Sequence, residues 1–266
     1  MLDRYNRKIN YLRISVTDRC NLRCVYCMPE HGIKLLKHSD ILSLEEITEI
    51  AKVAVKFGID KIRITGGEPL VRKGIVSLVS NLWGIEGIKD LAMTTNGILL
   101  HDFAVRLKEA GLQRINISLD TINPKTYEKI TRGGDISKVF KGIEAAKIVG
   151  LKPIKINCVV MNSSQEKDAV EVKEYCEKND LKVRFIHQMN LTTGEFSVVE
   201  GGDGGNCRRC NRLRLTANGQ IKPCLFNDLG YDVRKFGAEE AIKLAVENKP
   251  ESGTYNLSGD FYNIGG

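Results

Sequence analysis

Six short runs rich in β-branched and aliphatic residues recur along the chain, at Tyr11–Val16, Lys61–Thr65, Leu91–Thr95, Arg114–Leu119, Pro153–Val160 and Leu181–Ile186. Helical patterns separate them. The clearest is Ser43–Phe57: Ser43 and Glu46 match a capping box, Leu44, Ile47, Ile50, Ala51 and Ala54 form one apolar face, and Gly58 closes it. Further helices are expected over His101–Ala110 and Ile136–Val149, stopped by Gly111 and Gly150, and over Glu166–Asn179. A strand-then-helix series folds as a parallel sheet with helices outside it. Right-handed crossovers repeated along six such strands curl the sheet into a partial barrel. Ligand sites in these sheets gather at the C-terminal ends of the strands. The residues just after each run are therefore the ones to read for chemistry.

After the first run comes Cys20-Asn-Leu-Arg-Cys24-Val-Tyr-Cys27, a C-x3-C-x2-C spacing. Three thiolates can hold three irons of a cubane [4Fe–4S] cluster and leave the fourth iron open to a small molecule. A structural zinc site is the competing reading, but it normally takes four protein ligands with C-x2-C spacing. Tyr26 directly precedes the third cysteine, and the segment resembles the signature of the radical S-adenosylmethionine (SAM) superfamily. The resemblance implies that the open iron takes the amino and carboxylate groups of SAM, and that one electron splits SAM into methionine and a 5′-deoxyadenosyl radical. It also implies the superfamily's α/β fold, a partial (β/α)6 TIM-like barrel.

The later strand ends agree with this. Thr65-Gly66-Gly67-Glu68-Pro69 resembles the superfamily's GGE motif, whose glycines let the backbone approach a ligand closely. Thr94-Thr95-Asn96-Gly97 and Ser118-Leu119-Asp120 place small hydroxyl and carboxylate groups after the third and fourth strands. Each alone reads equally well as loop or cap chemistry; their recurrence at equivalent places gives them weight.

A second constellation, Cys207-Arg-Arg-Cys210 followed by Cys224, again supplies three cysteines. A zinc knuckle completed by His187, Cys158 or Cys176 is the plainer alternative, although Cys158 falls in a strand pattern and Cys176 in a helical one, where inert buried thiols are common. His187 reads as a packing or strand-end polar residue. The formal net charge of +7 is ambiguous until its position is considered. Between Cys207 and Cys224 stand Arg208, Arg209, Arg212, Arg214 and Lys222 with no acid among them, whereas acids and bases are interleaved elsewhere. A focused cluster beside a metal-ligand motif favours a compact polyanion over a long nucleic-acid backbone. Eight cysteines without a signal-peptide pattern argue for metal binding over disulfides, and so for a cytoplasmic protein. No apolar run reaches the roughly 18 residues of a membrane span.

The two cysteine sets, Arg212 and Arg214, Asn248-Lys249-Pro250 and the closing Gly265-Gly266 together resemble the GTP 3',8-cyclase (MoaA) family of molybdenum cofactor biosynthesis. The resemblance is strongest over 9–190 and resumes at 205–266. It implies a radical SAM barrel over 1–190 and a C-terminal extension over 191–266 that carries an auxiliary cluster and binds substrate. Two [4Fe–4S] clusters would be held by Cys20, Cys24 and Cys27 and by Cys207, Cys210 and Cys224. SAM would meet Tyr26, Gly66, Gly67, Glu68, Ser118 and Met189. GTP would meet Arg13, Arg63, Thr94, Lys155, Arg212, Leu213 and Arg214, with Arg13, Gly265 and Gly266 in catalytic roles. The reaction implied joins C3′ of the ribose to C8 of the guanine. Implied partners are a reductase or flavodoxin/ferredoxin electron donor and a downstream cyclic pyranopterin-forming enzyme, with neither membrane nor nucleic acid, and a homodimer among the allowed assemblies.

Arg13, Arg63 and Lys155 lie on or beside strands, where a buried cation needs an anionic partner. A triphosphate would serve, and so would an internal carboxylate such as Glu68 or Asp120.

The chain departs from the family between Met189 and Cys207. The connection Asn190–Asn206 is short and glycine-rich (Gly194, Gly201, Gly202, Gly204, Gly205), reading as a hairpin or flexible loop, and His187 stands where the family leads one to expect an acid. Two rivals follow: a MoaA-like enzyme acting on another substrate such as a peptide, and a metal-binding RNA-binding protein using Arg208–Arg214, which lacks interleaved aromatics for stacking.

Overall fold

A computed structural model describes residues 1–257 and 261–264. Its sheet has nine strands among the described residues, in the order β6-β5-β4-β3-β2-β1-β7-β8-β9. β1 (Tyr11–Ser15), β2 (Lys61–Thr65), β3 (Asp90–Thr95), β4 (Arg114–Ser118), β5 (Ile154–Val160) and β6 (Lys182–His187) are parallel neighbours, as the six runs predict. β7 (Arg212–Leu215) pairs parallel on the other side of β1, and β8 (Gln220–Lys222) and β9 (Tyr231–Asp232) follow antiparallel. The sheet is thus open, with β6 and β9 at its edges.

Register fixes which residues face which way, because side chains alternate along a strand. Leu12, Ile14, Ile62, Ile64, Leu91, Met93, Ile115, Ile117, Ile156, Cys158, Leu213 and Leu215 occupy one phase and are buried. Each aliphatic among them contributes about 1.5–3 kcal/mol of burial. The opposite phase is polar: Arg214 pairs with Arg13 and Arg13 with Arg63, while Thr94, Asn116 and Lys155 line up one after another, as do Ser118, Asn157 and Arg184. One face therefore makes the core and the other is free for chemistry.

The apolar face is covered by α1 (Leu44–Lys56), α2 (Ile75–Trp83), α3 (Leu100–Glu109), α4 (Pro124–Thr131), α5 (Ile136–Ile148) and α6 (Lys167–Lys178). The capping box of α1 forms as expected: the Glu46 amide donates to Ser43 Oγ at 3.1 Å and the Ser43 amide to the Glu46 carboxylate at 2.7 Å. Gly58 takes φ +86° just beyond the helix, a left-handed conformation that suits glycine. Further on, α7 (Val233–Phe236), α8 (Ala238–Glu247) and α9 (Phe261–Ile264) complete the elements. Leu213, Leu215, Ile221, Val233, Ala241 and Ala245 belong to the same core cluster as β1–β6, so the C-terminal extension continues the main core. A smaller cluster of Leu191, Leu225, Phe226 and Ile264 lies apart from it. No helix among the described residues is long and apolar enough to cross a membrane.

Candidate functional site

The loop after β1 is held at many points. Cys24 O accepts from the amides of Cys27 and Met28, both at 3.0 Å, which folds the C-x2-C segment into a tight turn. The end of α4 grips it, since Arg23 N and Val25 N donate to Thr131 O and Ile130 O, and Arg132 Nη1 donates to Met28 O at 2.9 Å. The Cys20 sulfur accepts the Leu22 amide at 3.4 Å and lies 3.8 Å from Asn96 Nδ2 at the end of β3. Tyr26 donates its hydroxyl to Asp120 Oδ2 at 2.7 Å, and Asp120 Oδ1 accepts the Val159 amide at 2.8 Å. Burial pushes the Asp120 carboxyl up to about 6. Burial, Asp120 and the neighbouring thiols push Cys24 up to about 12.

The glycines after β2 pack against the backbone of this loop. Gly67 N donates to Thr17 O at 2.7 Å and Glu68 N to Arg19 O at 2.8 Å. A Cβ on Gly67 would lie 2.4 Å from Arg19 O, so the close approach demands glycine. Glu68 turns away from the ligand space. Its carboxylate accepts from Thr95 Oγ1 at 2.7 Å, Asn96 N at 2.7 Å and Leu70 N at 3.0 Å, and burial raises it to about 7 against those hydrogen bonds. It fastens the ends of β2 and β3 together.

Two adjoining cavities open on the polar face. The first, about 1070 Å³ including its mouth, is lined by Cys20, Cys24, Cys27, Tyr26, Gly66, Gly67, Thr94, Ser118 and Met189. The second, about 1040 Å³ on the same measure, is lined by Arg13, Arg63, Arg184, Arg212, Arg214, Cys207, Cys210, Cys224 and Lys249. Asn157, Ile186 and Met189 line both. The sequence-derived SAM residues apart from Glu68 thus share the first cavity, and Arg13, Arg63, Arg212 and Arg214 share the second. Thr94, expected with GTP, lines the first cavity instead. Lys155 stands in the polar phase of β5 without lining either, brought down to about 8 by burial and by the charges of Arg184, Arg114, Arg63 and Lys182. The Leu213 side chain faces the core, which leaves only its backbone to serve a ligand. Gly265 and Gly266 lie outside the described residues.

The two cysteine sets sit in opposite fields. Around Cys24 the charged neighbours are Asp120 and other thiols. Around Cys210 burial pushes the thiol up, but Lys249 and Arg212 override it and bring it down to about 7. Burial and Arg214 hold the Arg13 guanidinium well below its ordinary value, with Arg63 and Arg212 adding to this, and burial and Arg212 bring Arg214 down to about 10. The Arg63 Nε is buried without a hydrogen-bond partner. Glu68 and Asp120 bond elsewhere, so this cation cluster invites an anion from outside.

Among the described residues, no three His, Cys, Asp or Glu side chains close round a single point as ligands of one metal ion would. Ligands of a cubane cluster need not, because each thiolate takes a different iron. Cys158 and Cys176 are buried in the core, and His187 pairs with Glu200 at 3.2 Å, so none completes a zinc site with the second cysteine set. The Asn190–Asn206 connection folds back as a hairpin, with bridges Asn190↔Glu195 and Phe185↔Glu200. It contributes Phe196, Ser197 and Asp203 to the second cavity. Sequence reading missed these, and also Asn157 and Arg184, although both share the pleat phase of Ser118.

Comparison with known proteins gives a consistent result. The Radical SAM superfamily profile matches residues 14–176, and that of Molybdenum Cofactor Synthesis C matches 156–254. The GTP 3',8-cyclase of Peptoclostridium acidaminophilum is 42% identical over 320 aligned positions, covering 100% of this chain and 98% of its own. That of Thermodesulfovibrio yellowstonii is 43% identical over 281 positions, covering 88% and 87%. Among solved structures, Streptococcus suis SuiB bound to S-adenosylmethionine superposes with a TM-score of 0.66 at 18% identity, covering 91% of this chain and 64% of that one. Methylornithine synthase (PylB) superposes with a TM-score of 0.56 at 18% identity, covering 69% and 54%. These two likenesses are of fold.

Proposed function

We infer the function from membership: the chain belongs to the radical SAM superfamily and, within it, to the GTP 3',8-cyclase family. It is a radical SAM enzyme that converts GTP to the 3′,8-cyclised nucleotide, the first step of molybdenum cofactor biosynthesis. The observation that carries the assignment is the pairing of two cysteine sets with two adjoining cavities, the second floored by buried arginines.

Cys20, Cys24 and Cys27 would hold the first [4Fe–4S] cluster, and Cys207, Cys210 and Cys224 the second. When bound and reduced, the first cluster and SAM supply the 5′-deoxyadenosyl radical that takes hydrogen from C3′ of the ribose. The protein's own part is placement. The Gly66-Gly67 backbone and Ser118 offer polar groups to the amino-acid and ribose parts of SAM. Tyr26, locked by Asp120, fixes the cluster loop against β4 and β5. Arg13, Arg63, Arg212 and Arg214 take the triphosphate, whose charge satisfies guanidinium groups that burial and mutual repulsion otherwise disfavour. Arg184, reaching the same cavity from β6, joins them. Asn157, Ile186 and Met189 separate the two ligands yet touch both spaces, which sets the reacting atoms side by side. Gly265 and Gly266 are proposed to approach the substrate, and residues 191–266 to serve as the substrate-binding extension. A flavodoxin, ferredoxin or reductase would deliver the electron, and a cyclic pyranopterin-forming enzyme would take the product.

The test is anaerobically reconstituted protein mixed with SAM, a strong reductant and GTP, read by mass spectrometry. 5′-Deoxyadenosine together with a cyclised GTP isomer establishes the cyclase. Deoxyadenosine without the isomer refutes GTP as the substrate and turns attention to the shortened hairpin wall and to other substrates such as a peptide.

A further inference from the structure

Lys249 is the largest fully buried side chain among the described residues, at 2% exposure. A lysine so buried is rare unless its ammonium is fully engaged. Its Nζ donates to Arg212 O at 2.8 Å and to Pro223 O at 2.5 Å. These carbonyls belong to the two segments that carry the second cysteine set: Arg212 opens β7 just after Cys210, and Pro223 immediately precedes Cys224. The remaining donor meets Cys210, with Cys224 also in its field. Lys249 lines the second cavity together with all three cysteines. Among the described residues no carboxylate pairs with it; its partners are two carbonyls and the Cys210 sulfur, with the Cys224 sulfur in its field.

Resting on the two-cluster reading above, we propose that Lys249 is a positioning residue of the second cluster, joining its two cysteine-bearing segments and providing the positive charge against which that cluster is reduced. A cluster's potential follows its net charge, the hydrogen bonds to its sulfurs and its exposure to solvent. A buried ammonium hydrogen-bonded to Cys210, with Cys224 in its field, acts through the first two. It stabilises the added electron directly, from a position that is itself buried from solvent. A hydrogen-bonding but neutral side chain would keep the join and lose the charge, which separates the two roles.

The experiment uses the full chain carrying Cys24→Ser, which removes the first cluster from the spectrum, with and without Lys249→Gln or Lys249→Arg. Iron and sulfide content are measured first, then the reduction midpoint by EPR-monitored titration. Lys249→Gln is expected to hold the cluster with its reduction equilibrium at least tenfold less favourable, equivalent to about 59 mV for one electron. Lys249→Arg is expected to stay near the parent. Loss of the cluster from Lys249→Gln but not from Lys249→Arg would equally support the requirement for charge. A Lys249→Gln midpoint equal to the parent's would overturn the inference, as would loss of the cluster from both variants, because shape alone would then govern the position. A Cys24→Ser parent with no cluster at all would refute the two-cluster reading itself, a result distinct from an unmoved midpoint.

Discussion

Replacing Gly67 with alanine tests how tightly the GGE turn is locked to the cluster loop. The new Cβ would lie 2.4 Å from Arg19 O, 2.7 Å from Arg19 C and 3.0 Å from Asp18 O. The shortest of these is roughly 1 Å inside an ordinary contact. All three atoms are main chain, so no rotamer change relieves the clash. The Arg19 carbonyl must retreat, and it is the acceptor of the Glu68 amide at 2.8 Å. Overpacking costs about 1–3 kcal/mol and the stretched hydrogen bond about 1 kcal/mol, giving a loss of roughly 2–4 kcal/mol. For a chain of this size that corresponds to a fall in Tm of at least roughly 4 °C. Cys20 directly follows Arg19, so affinity for SAM should fall as well. The assay is anaerobic thermal unfolding beside equilibrium SAM binding, with Gly84→Ala as control. Gly84 has φ −70° and its nearest neighbour would be 3.4 Å from a Cβ, so that change should stay within about 0.5 kcal/mol of the parent. A Gly67→Ala protein with the parent's Tm and SAM affinity would refute the reasoning.

Other perturbations separate the parts of the site. Cys24→Ala is expected to abolish SAM cleavage, while Cys210→Ala keeps uncoupled cleavage and loses the cyclised product; deoxyadenosine yields with and without GTP check this. Arg212→Ala should weaken GTP binding by more than about 1 kcal/mol in a calorimetric titration, the scale of a charge-assisted hydrogen bond. Glu68 has a folded pKa raised from 4.5 to about 7, so its neutral form favours folding below 4.5 and that stabilisation is lost as pH rises to about 7. Relative to Glu68→Gln, the parent should lose up to about 1.4 kcal/mol per pH unit in that window, measured by denaturant unfolding. Arg7 Nη1 donates to Cys207 O at 2.8 Å, and its Nε pairs with Asp3 at 2.6 Å. Arg7→Met should therefore lower iron content by about half while sparing SAM cleavage.

The strand–helix series was legible because each run carries its own period. Ser43 and Glu46 announced α1, and strands β1 to β6 all lie within a residue or so of their expected limits. α2 went unread: Gly74 offers no side-chain cap, and Ile75-Val-Ser-Leu-Val-Ser-Asn-Leu-Trp83 is apolar on too many sides to show a period. β7 to β9 are too short for a pattern, and β7 is defined by its partner β1, far away in sequence. The motif residues of the first cavity were legible because they follow strands directly. Glu68 was placed beside SAM, but its direction depends on Thr95 and Asn96, which no local pattern reveals. Lys249 was legible only as part of a tail motif. A lone lysine reads as surface, and its burial rests on carbonyls contributed by two distant segments of the chain, at Arg212 and Pro223.

The position of β1 has a consequence for how the molecule is made. It pairs with β2 on one side, and on the other it waits for β7, which begins at Arg212. During synthesis at roughly 5–20 residues per second, one edge of this interior strand stands open for roughly ten to forty seconds. An unpaired edge of this kind is a template for wrong partners. The pocket lined by residues 20 to 189 can take shape in that interval, whereas the second needs Asp3, Arg7 and Lys249 in place together. The two cysteine-lined pockets would thus be completed in a fixed order on the ribosome's schedule, the one proposed for SAM before the one proposed for the nucleotide.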